Sequence, residues 1–421
     1  MRNSAIDPAM PTNWPRWRFE VQNPADRSRW AMDAAFQGGP GTRVQLWEPN
    51  NGDAQLWYEE AAREGGVYLH PAYNRDLCLG VTGTQVGSPL LVQSCNGNAL
   101  QRFHIVWGGR GGGMREIRSV VDGRCIDVSY SQYQPGTTLW LWGCRNFDAP
   151  QRWLRPAPNR DDGRTEPVLF VHGYDPAASP GYNCWGYFGN MINKFLEWGW
   201  TYNMRTVGYY AGDTQCDVRI ASDTHNSGLY WLSQQFAWFI YDNYSSKHVS
   251  VDIVGHSMGG LIARGAVHYT RKGAGEDSSW PPYLFVEDVV TLGTPHDGSD
   301  LAGFCDVLLR DPECIDMRWG SGFVNGLSTA ENPQSAQNTD WTTIGAEDDA
   351  VVSWQSAQGM QAGHRIRYFS QQGMCHDCLK STTSGSFWMY NWNYHDGGPG
   401  NIQGGSPVSS TSNALHNYWR W

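Results

Sequence analysis

One stretch leaves this chain few ways to fold. Val249 to Val254 is an apolar run that reads as a buried strand, and it feeds without a spare residue into Gly255-His256-Ser257-Met258-Gly259-Gly260. Leu261-Ile262 then opens a small-residue helix that reaches about His268. A strand that becomes a helix through so short a turn is crowded, and the glycines stand where side chains would collide with the central residue. Ser257 is thereby presented at a helix N-terminus. A G-x-S-x-G also arises by chance in a chain with 49 glycines, so the flanking strand and helix carry the inference.

The surroundings repeat the alternation. Pro167 to Val171 is a continuous apolar run ending at His172-Gly173-Tyr174, Gly228 to Ser246 has apolar residues at helical spacing, and Val286 to Thr291 is a further strand. Strand, crossover helix and strand in this order predict a mostly parallel sheet with helices on its faces.

That unit does not use up the 421 residues, which exceed the roughly 100 to 200 of a usual single domain. Prolines and charges interrupt the apolar pattern at Arg155 to Pro167, as in an interdomain linker. Before the break one phrase recurs at intervals of roughly fifty residues: Gln55-Leu56-Trp57, Gln101-Arg102-Phe103 and Gln151-Arg152-Trp153. Each copy has an upstream half, Ala31-Met32-Asp33, Cys78-Leu79-Gly80-Val81 or Cys125-Ile126-Asp127-Val128, and then a short apolar strand such as Thr138 to Cys144. Short strands at regular spacing predict an all-β unit.

These phrases resemble the ricin B-type lectin β-trefoil over about Trp17 to Arg155, with the Q-x-W residues as its core. The resemblance implies that sugar is held by an acidic residue of the upstream half and an aromatic ring: Asp33 and Trp47, with Asn50 weaker, in the first repeat, and Asp127 and Trp142, with Asn146 weaker, in the third. A carboxylate acceptor and a flat apolar face suit a hydroxylated ring. The middle repeat has Gly80 and Gln93 at these positions and is expected to bind nothing. Met32 and Pro49 replace the first repeat's cysteines, and Ala54, Leu100 and Pro150 precede the Q-x-W glutamines, which departs from the galactose-binding pattern.

Beyond the linker, PVLFVHGY at 167–174, VDIVGHSMGGLIAR at 251–264, TLGTPHDGSDLAG at 291–303 and the later WTTIGAEDDAVVSWQSA resemble α/β-hydrolases of the bacterial class 2 lipase and esterase group. The resemblance makes Ser257 the nucleophile and the amides of Tyr174 and Met258 the oxyanion hole. It places the triad acid in Asp349-Ala350-Val351-Val352, ahead of its neighbours Asp348 and Glu347 and of Asp297 and Asp300. The histidine belongs after the strand Arg365 to Ser370, where His376 in an H-x-x-L phrase is preferred and His395 and His416 are alternatives. His172 and His256 belong to the loop and turn motifs. Ser299 to Trp341, with Met317 to Leu327 in it, is where a cap is expected.

The expected architecture is therefore multidomain: an extension at 1–16, a trefoil at 17–155, a linker at 156–166 and an α/β-hydrolase domain at 167–421. The expected activity is carboxylic ester hydrolysis by a secreted lipase or esterase, targeted to carbohydrate. The alternative is a carbohydrate-binding lectin whose hydrolase domain is structural. The ten cysteines fall in sequence-local pairs, Cys78 and Cys95, Cys125 and Cys144, Cys184 and Cys216, Cys305 and Cys314, Cys375 and Cys378. An even set suits disulfides and an oxidising compartment, although Met1 to Arg16 lacks the apolar core of a signal peptide. Cys375-His376-Asp377-Cys378 has no second C-x-x-C to complete a zinc site, so no metal and no cofactor are expected. A net charge of -10 without a basic run argues against nucleic acid, and no stretch is long and apolar enough to span a membrane.

Overall fold

The computed structural model describes residues 16–50, 52–62, 64–107, 114–154, 164–176, 181–273, 277–299, 311–328, 332–336, 339–393 and 400–416. They form two compact units, one N-terminal and all-β, the other α/β. The linker expected at 156–166 lies mostly outside the described residues, as do Cys305 and His395.

In the first unit the three upstream halves form three equivalent antiparallel hairpins. Arg29–Ala34 pairs with Val44–Trp47, Leu77–Val81 with Leu90–Ser94, and Cys125–Val128 with Leu139–Trp142. Single bridges Arg43 to Leu91, Gln45 to Thr138 and Pro89 to Trp140 join each hairpin to the other two. This closes a pseudo-threefold β-trefoil. The repeated phrase has a physical reason in every copy. Gln55, Gln101 and Gln151 are fully buried, each accepting an amide hydrogen bond, from Asn50, Asn96 and Arg145, and each donating to a carbonyl, of Glu48, Ser94 and Gly143. The glutamine thus satisfies the turn's own backbone, which would otherwise be buried without partners. Trp57, Phe103 and Trp153 are 0% exposed and fill the centre. Disulfides Cys78–Cys95 and Cys125–Cys144 close the second and third repeats.

The second unit is a nine-stranded sheet. Its strands are β1 (Val168–Val171), β2 (Met204–Tyr210), β3 (Val218–Asp223), β4 (Val251–His256), β5 (Val286–Leu292), β6 (Asp340–Ala346), β7 (His364–Tyr368), β8 (Phe387–Asn393) and β9 (Gly400–Gly404). The order is 3-2-1-4-5-6-7-8-9. Strands β3 to β7 across this order are parallel, and β8 and β9 add an antiparallel edge. The chain winds away from β1 in one direction and returns to its other side at β4. In open parallel sheets such a reversal leaves a crevice at the carboxyl ends of the two strands.

Alternate residues of the strands face opposite layers. Leu169, Val171 and Ile253 pack with Leu232, Phe236 and Ile240 of α2 (Leu229–Asn243) and with Leu261, Ile262 and Val267 of α3 (Met258–Gly273). Val168, Phe170 and Val254 face Phe188, Met191 and Phe195 of α1 (Cys184–Glu197), and Val408 and Leu415 of the C-terminal helix Pro407–His416. Each such side chain contributes about 1.5–3 kcal/mol by leaving water. The expected strands and helices agree with those observed to within a few residues, because periodicity and burial here give the same answer.

Candidate active site

Ser257 sits in left-handed backbone at φ +54, between the end of β4 and the start of α3, and its amide donates to Leu292 at the end of β5, 2.8 Å away. A non-glycine residue is held there only when its surroundings enforce it. The glycines supply that enforcement. A Cβ at Gly255 would stand 2.5 Å from Gly260 Cα, one at Gly259 would stand 2.2 Å from the Val171 carbonyl oxygen, and one at Gly260 would stand 2.0 Å from Thr294 Oγ1. The motif therefore lets α3 rest against the ends of β1 and β5.

The loop after β1 meets Ser257 directly, since a Cβ at Gly173 would lie 2.9 Å from Ser257 Cβ and 3.4 Å from its hydroxyl oxygen. That loop is braced by its own His172 and by Asp213, which carried no motif. His172 and Asp213 are fully buried side chains joined at 3.0 Å, and Asp213 also accepts the amides of Tyr209 and Tyr210 at 2.7 Å. Burial pushes the Asp213 carboxyl up, but the hydrogen bonds and charge of His172 and the two amides outweigh it, leaving it below the ordinary carboxylate range. The Tyr209 hydroxyl donates to the carbonyls of His172 and Gly173. Tyr174 and Met258, the expected amide donors, follow Gly173 and Ser257 respectively.

The acidic run resolves into separate duties. Asp348 accepts the amides of Gln371, Gln372 and Gly373, and Glu347 accepts that of Ser370 and pairs with Arg367. Both hold the loop after β7. Asp349 alone turns to His376: its buried Oδ2 lies 2.7 Å from His376 Nδ1, while Oδ1 accepts the amides of Val351 and Val352. The pair rests on Gly293, where a Cβ would stand 3.0 Å from His376 Nδ1 and 3.1 Å from Asp349 Oδ2. Gly293 follows Leu292, the residue bonded to the Ser257 amide, so Ser257 and Asp349, after β4 and β6, and His376, on the loop after β7, are gathered around the end of β5. The sequence offered only a glycine inside TLGTP as a signal of this.

His376 is held on two further sides. The Cys375–Cys378 disulfide closes the turn around it, and the fully buried His256 lies within 3.1 Å of its carbonyl through Nε2. The Tyr187 hydroxyl meets His256 Nδ1, and burial, reinforced by the charges of His376 and Lys380, pushes the His256 imidazole well down, which keeps it neutral. His416 lies elsewhere, in the C-terminal helix against Trp200. Asp297 lines a cleft of about 520 Å³ beside Asp349, with Trp319, Val351 and Gln355. Asp300 lies outside the described residues, and Cys184 and Cys216 are joined by a disulfide.

In the trefoil, Asp33 and Asp127 are buried, and Trp47 and Trp142 are each 37% exposed. Asp33 accepts from Gln45 and Gln55, and Asp127 from Trp140, Arg145 and Gln151. Burial raises both carboxyls despite these donors. Trp142 stacks on Trp140 at 5.1 Å, and the exposed Tyr130 meets Trp140 edge-on at 4.8 Å. Phe36 and Tyr130, exposed residues at φ +58 and +54, occupy matching turns of the first and third repeats, a correspondence the sequence phrases did not reveal. Asn50 and Asn146 lie on the loops that follow, and Asn146 is exposed at φ +53. In the middle repeat a Cβ at Gly80 would strike Gln93 at 2.5 Å, so the inward space is already occupied.

Residues 65–162 match the ricin-type beta-trefoil lectin domain family, and residues 162–308 the PGAP1-like alpha/beta domain family. Two curated relatives are triacylglycerol lipases, from Pseudarthrobacter phenanthrenivorans and Burkholderia plantarii. Each is 28% identical over 172 residues, 41% of this chain, and 40% and 36% of the respective relative. The chain thus spans less than half the length of these relatives. Among solved structures, Bacillus licheniformis lipase BlEst2 in its propeptide form aligns over 50% of this chain and 46% of its own, at 18% identity and a TM-score of 0.34. The chain carries a ricin B-type lectin domain followed by a lipase-like α/β-hydrolase domain.

Proposed function

We propose that this protein is a secreted serine carboxylic ester hydrolase, in which Ser257, His376 and Asp349 act as a triad and the trefoil targets the enzyme to carbohydrate. The observation that carries the reading is the convergence on Gly293: the Asp349–His376 hydrogen bond lies against the glycine whose neighbour, Leu292, holds the amide of a strained Ser257.

In the reaction His376 Nε2 takes the proton of the Ser257 hydroxyl, which is too weak a nucleophile at its free pKa. Asp349 accepts from Nδ1–H, fixing the tautomer and stabilising the imidazolium that forms. Ser257 Oγ bonds to the ester carbon, and negative charge gathers on the former carbonyl oxygen, facing the amides of Tyr174 and Met258. Collapse expels the alcohol, which receives its proton from His376. Water, deprotonated by His376, then attacks the acyl-enzyme and releases the acid. Loss of one oxyanion donor in comparable sites costs about 100- to 1,000-fold.

Four disulfides among the described residues support export. Among those residues no helix is long and apolar enough to cross a membrane. The ester is a lipid or an acylated carbohydrate, and the exposed Trp47 and Trp142 beside Asp33 and Asp127 favour carbohydrate as the trefoil's ligand. Release of p-nitrophenol from short and long acyl esters by wild type and Ser257→Ala tests the enzyme: equal rates would overturn it. Retention of the full chain and of Trp142→Ala on immobilised glycans tests the targeting.

A further inference from the structure

A second group of ionisable side chains lies behind Tyr174, apart from Ser257. Strand β3 ends at Asp223, and His225 follows in left-handed backbone at φ +63. From the far side, the start of the helix Pro312–Asp316 brings Asp311 and Glu313. His225 Nδ1 is 2.8 Å from Glu313 Oε2 and 3.9 Å from Asp311 Oδ2, and one ligating atom from each of the three lies within 4.8 Å of the others. The Tyr174 hydroxyl donates to the same Asp311 oxygen, and the rings of Tyr210 and Tyr174 flank the imidazole at 4.6 and 5.3 Å.

Hydrogen bonds leave the cluster unsaturated. Glu313 is 0% exposed, yet its Oε1 has no partner among the described residues. Asp223, at 5% exposure, has none for Oδ2, and His225 has none for Nε2. Buried carboxylate oxygens and ring nitrogens without a partner are unfavourable, and a bound cation is one ordinary way to satisfy them.

We infer that His225, Asp311 and Glu313 bind one zinc-class divalent cation, with the Asp223 carboxylate beside Glu313 at hand as a fourth donor. An imidazole among carboxylates suits zinc, whereas calcium selects an all-oxygen shell. Bonds of about 2.0 to 2.2 Å in a tetrahedron place donor atoms roughly 3.3 Å apart, and the observed 2.8 and 3.9 Å bracket that spacing. The ion would clamp the end of β3 to the segment 311–313, and its ligand Asp311 would hold the Tyr174 side chain. Only the consequence for the Tyr174 amide rests on the ester hydrolase reading; metal binding stands apart from it.

The test uses the full chain carrying Ser257→Ala, so that ester chemistry has no part in the outcome. Protein stripped with chelator is titrated with zinc chloride or calcium chloride, reading stoichiometry by calorimetry and stability by thermal midpoint. One zinc per chain and a raised midpoint are expected, with no comparable response to calcium. Glu313→Gln and His225→Ala are expected to abolish both zinc responses. Tyr174→Phe, which removes only the hydroxyl behind Asp311, should weaken zinc about 10- to 100-fold. The reading is overturned by three results: absence of stoichiometric zinc binding in the parent protein, equal binding of calcium, or unchanged zinc binding in variants whose metal-free circular dichroism matches the parent. Should the ligand variants fail to fold, the parent titration and Tyr174→Phe decide.

Discussion

The trefoil and the α/β domain solve the same problem, presenting polar groups from a β framework, over different distances along the chain. In the third trefoil repeat, Asp127 receives hydrogen bonds from Trp140, Arg145 and Gln151, all within 24 residues. In the α/β domain, the ends of β1, β4, β5 and β6 bring Gly173, Ser257, Gly293 and Asp349 to the loop that carries His376, across some two hundred residues of chain. A repeat can therefore carry other residues at the positions of Asp127 and Trp142 and keep its fold, as the second repeat does with Gly80 and Gln93. A site gathered from many strand ends has no such independence, and damage at any contributor is felt by all.

The contrast is broken most severely if the gathered site is not the reactive one. Ser257→Ala should lower kcat on a soluble p-nitrophenyl ester by about 10⁴ to 10⁶-fold without altering glycan retention. Asp349→Asn should cost about 10⁴-fold, whereas Asp348→Asn, which loosens only the loop at 371–373, should cost far less; equal losses would reassign the acid.

Trp57→Ala probes the other unit. Removing a fully buried core tryptophan should destabilise the trefoil by about 3–5 kcal/mol, seen by calorimetry, while kcat on soluble ester holds. A parallel fall in kcat would mean that the two units are not energetically separate. Gly173→Ala sharpens the comparison inside the α/β domain, because the new methyl would stand 2.9 Å from Ser257 Cβ. A displacement approaching 1 Å at a reacting centre costs about 100-fold in rate, and Gly143→Ala in the trefoil, where a Cβ meets nothing within 4 Å, serves as the silent control.

The smallest effect is one of sign. Burial pushes the His268 imidazole down to about 4, so in acid the unfolded chain takes a proton that the folded α/β domain refuses. The stability present above about pH 6.5 should be lost as pH falls towards 4. Asp33 and Asp127 are raised by burial, so their contribution is fullest in acid and is lost as pH rises through their folded values. Calorimetry between pH 6.5 and 4 should lower the α/β transition more than the trefoil transition, and His268→Gln should narrow the gap. Parallel movement of both transitions would break the comparison.

Much of this was legible because it is local. The three glutamines announced the trefoil, since each satisfies the turn beside it, and the glycines around Ser257 announced the strand-to-helix turn, since each removes a collision with a near neighbour. Asp349 could be preferred over Asp348 by register, and the structure adds the reason: the two adjacent carboxylates reach different points of the loop after β7, Asp348 the amides of 371–373 and Asp349 the ring of His376. The contacts of His172 with Asp213, of His256 with Tyr187 and of Gly293 with the Asp349–His376 pair could not be read from the sequence, although both histidines belong to its motifs. The partners in these contacts lie 41, 69 and more than 50 residues apart and meet only because of the strand order.

By itself the amino-acid sequence determined the two architectures and the strand-to-helix turn that presents Ser257, because periodicity and steric crowding act between residues near in the chain. The tertiary structure decided which acidic side chain faces His376, what steadies the loop after β1, and that Asp223, His225, Asp311 and Glu313 lie together. Those outcomes depend on how a parallel sheet folds back on itself at the β1 and β4 reversal, and no spacing along the chain encodes the distances that result.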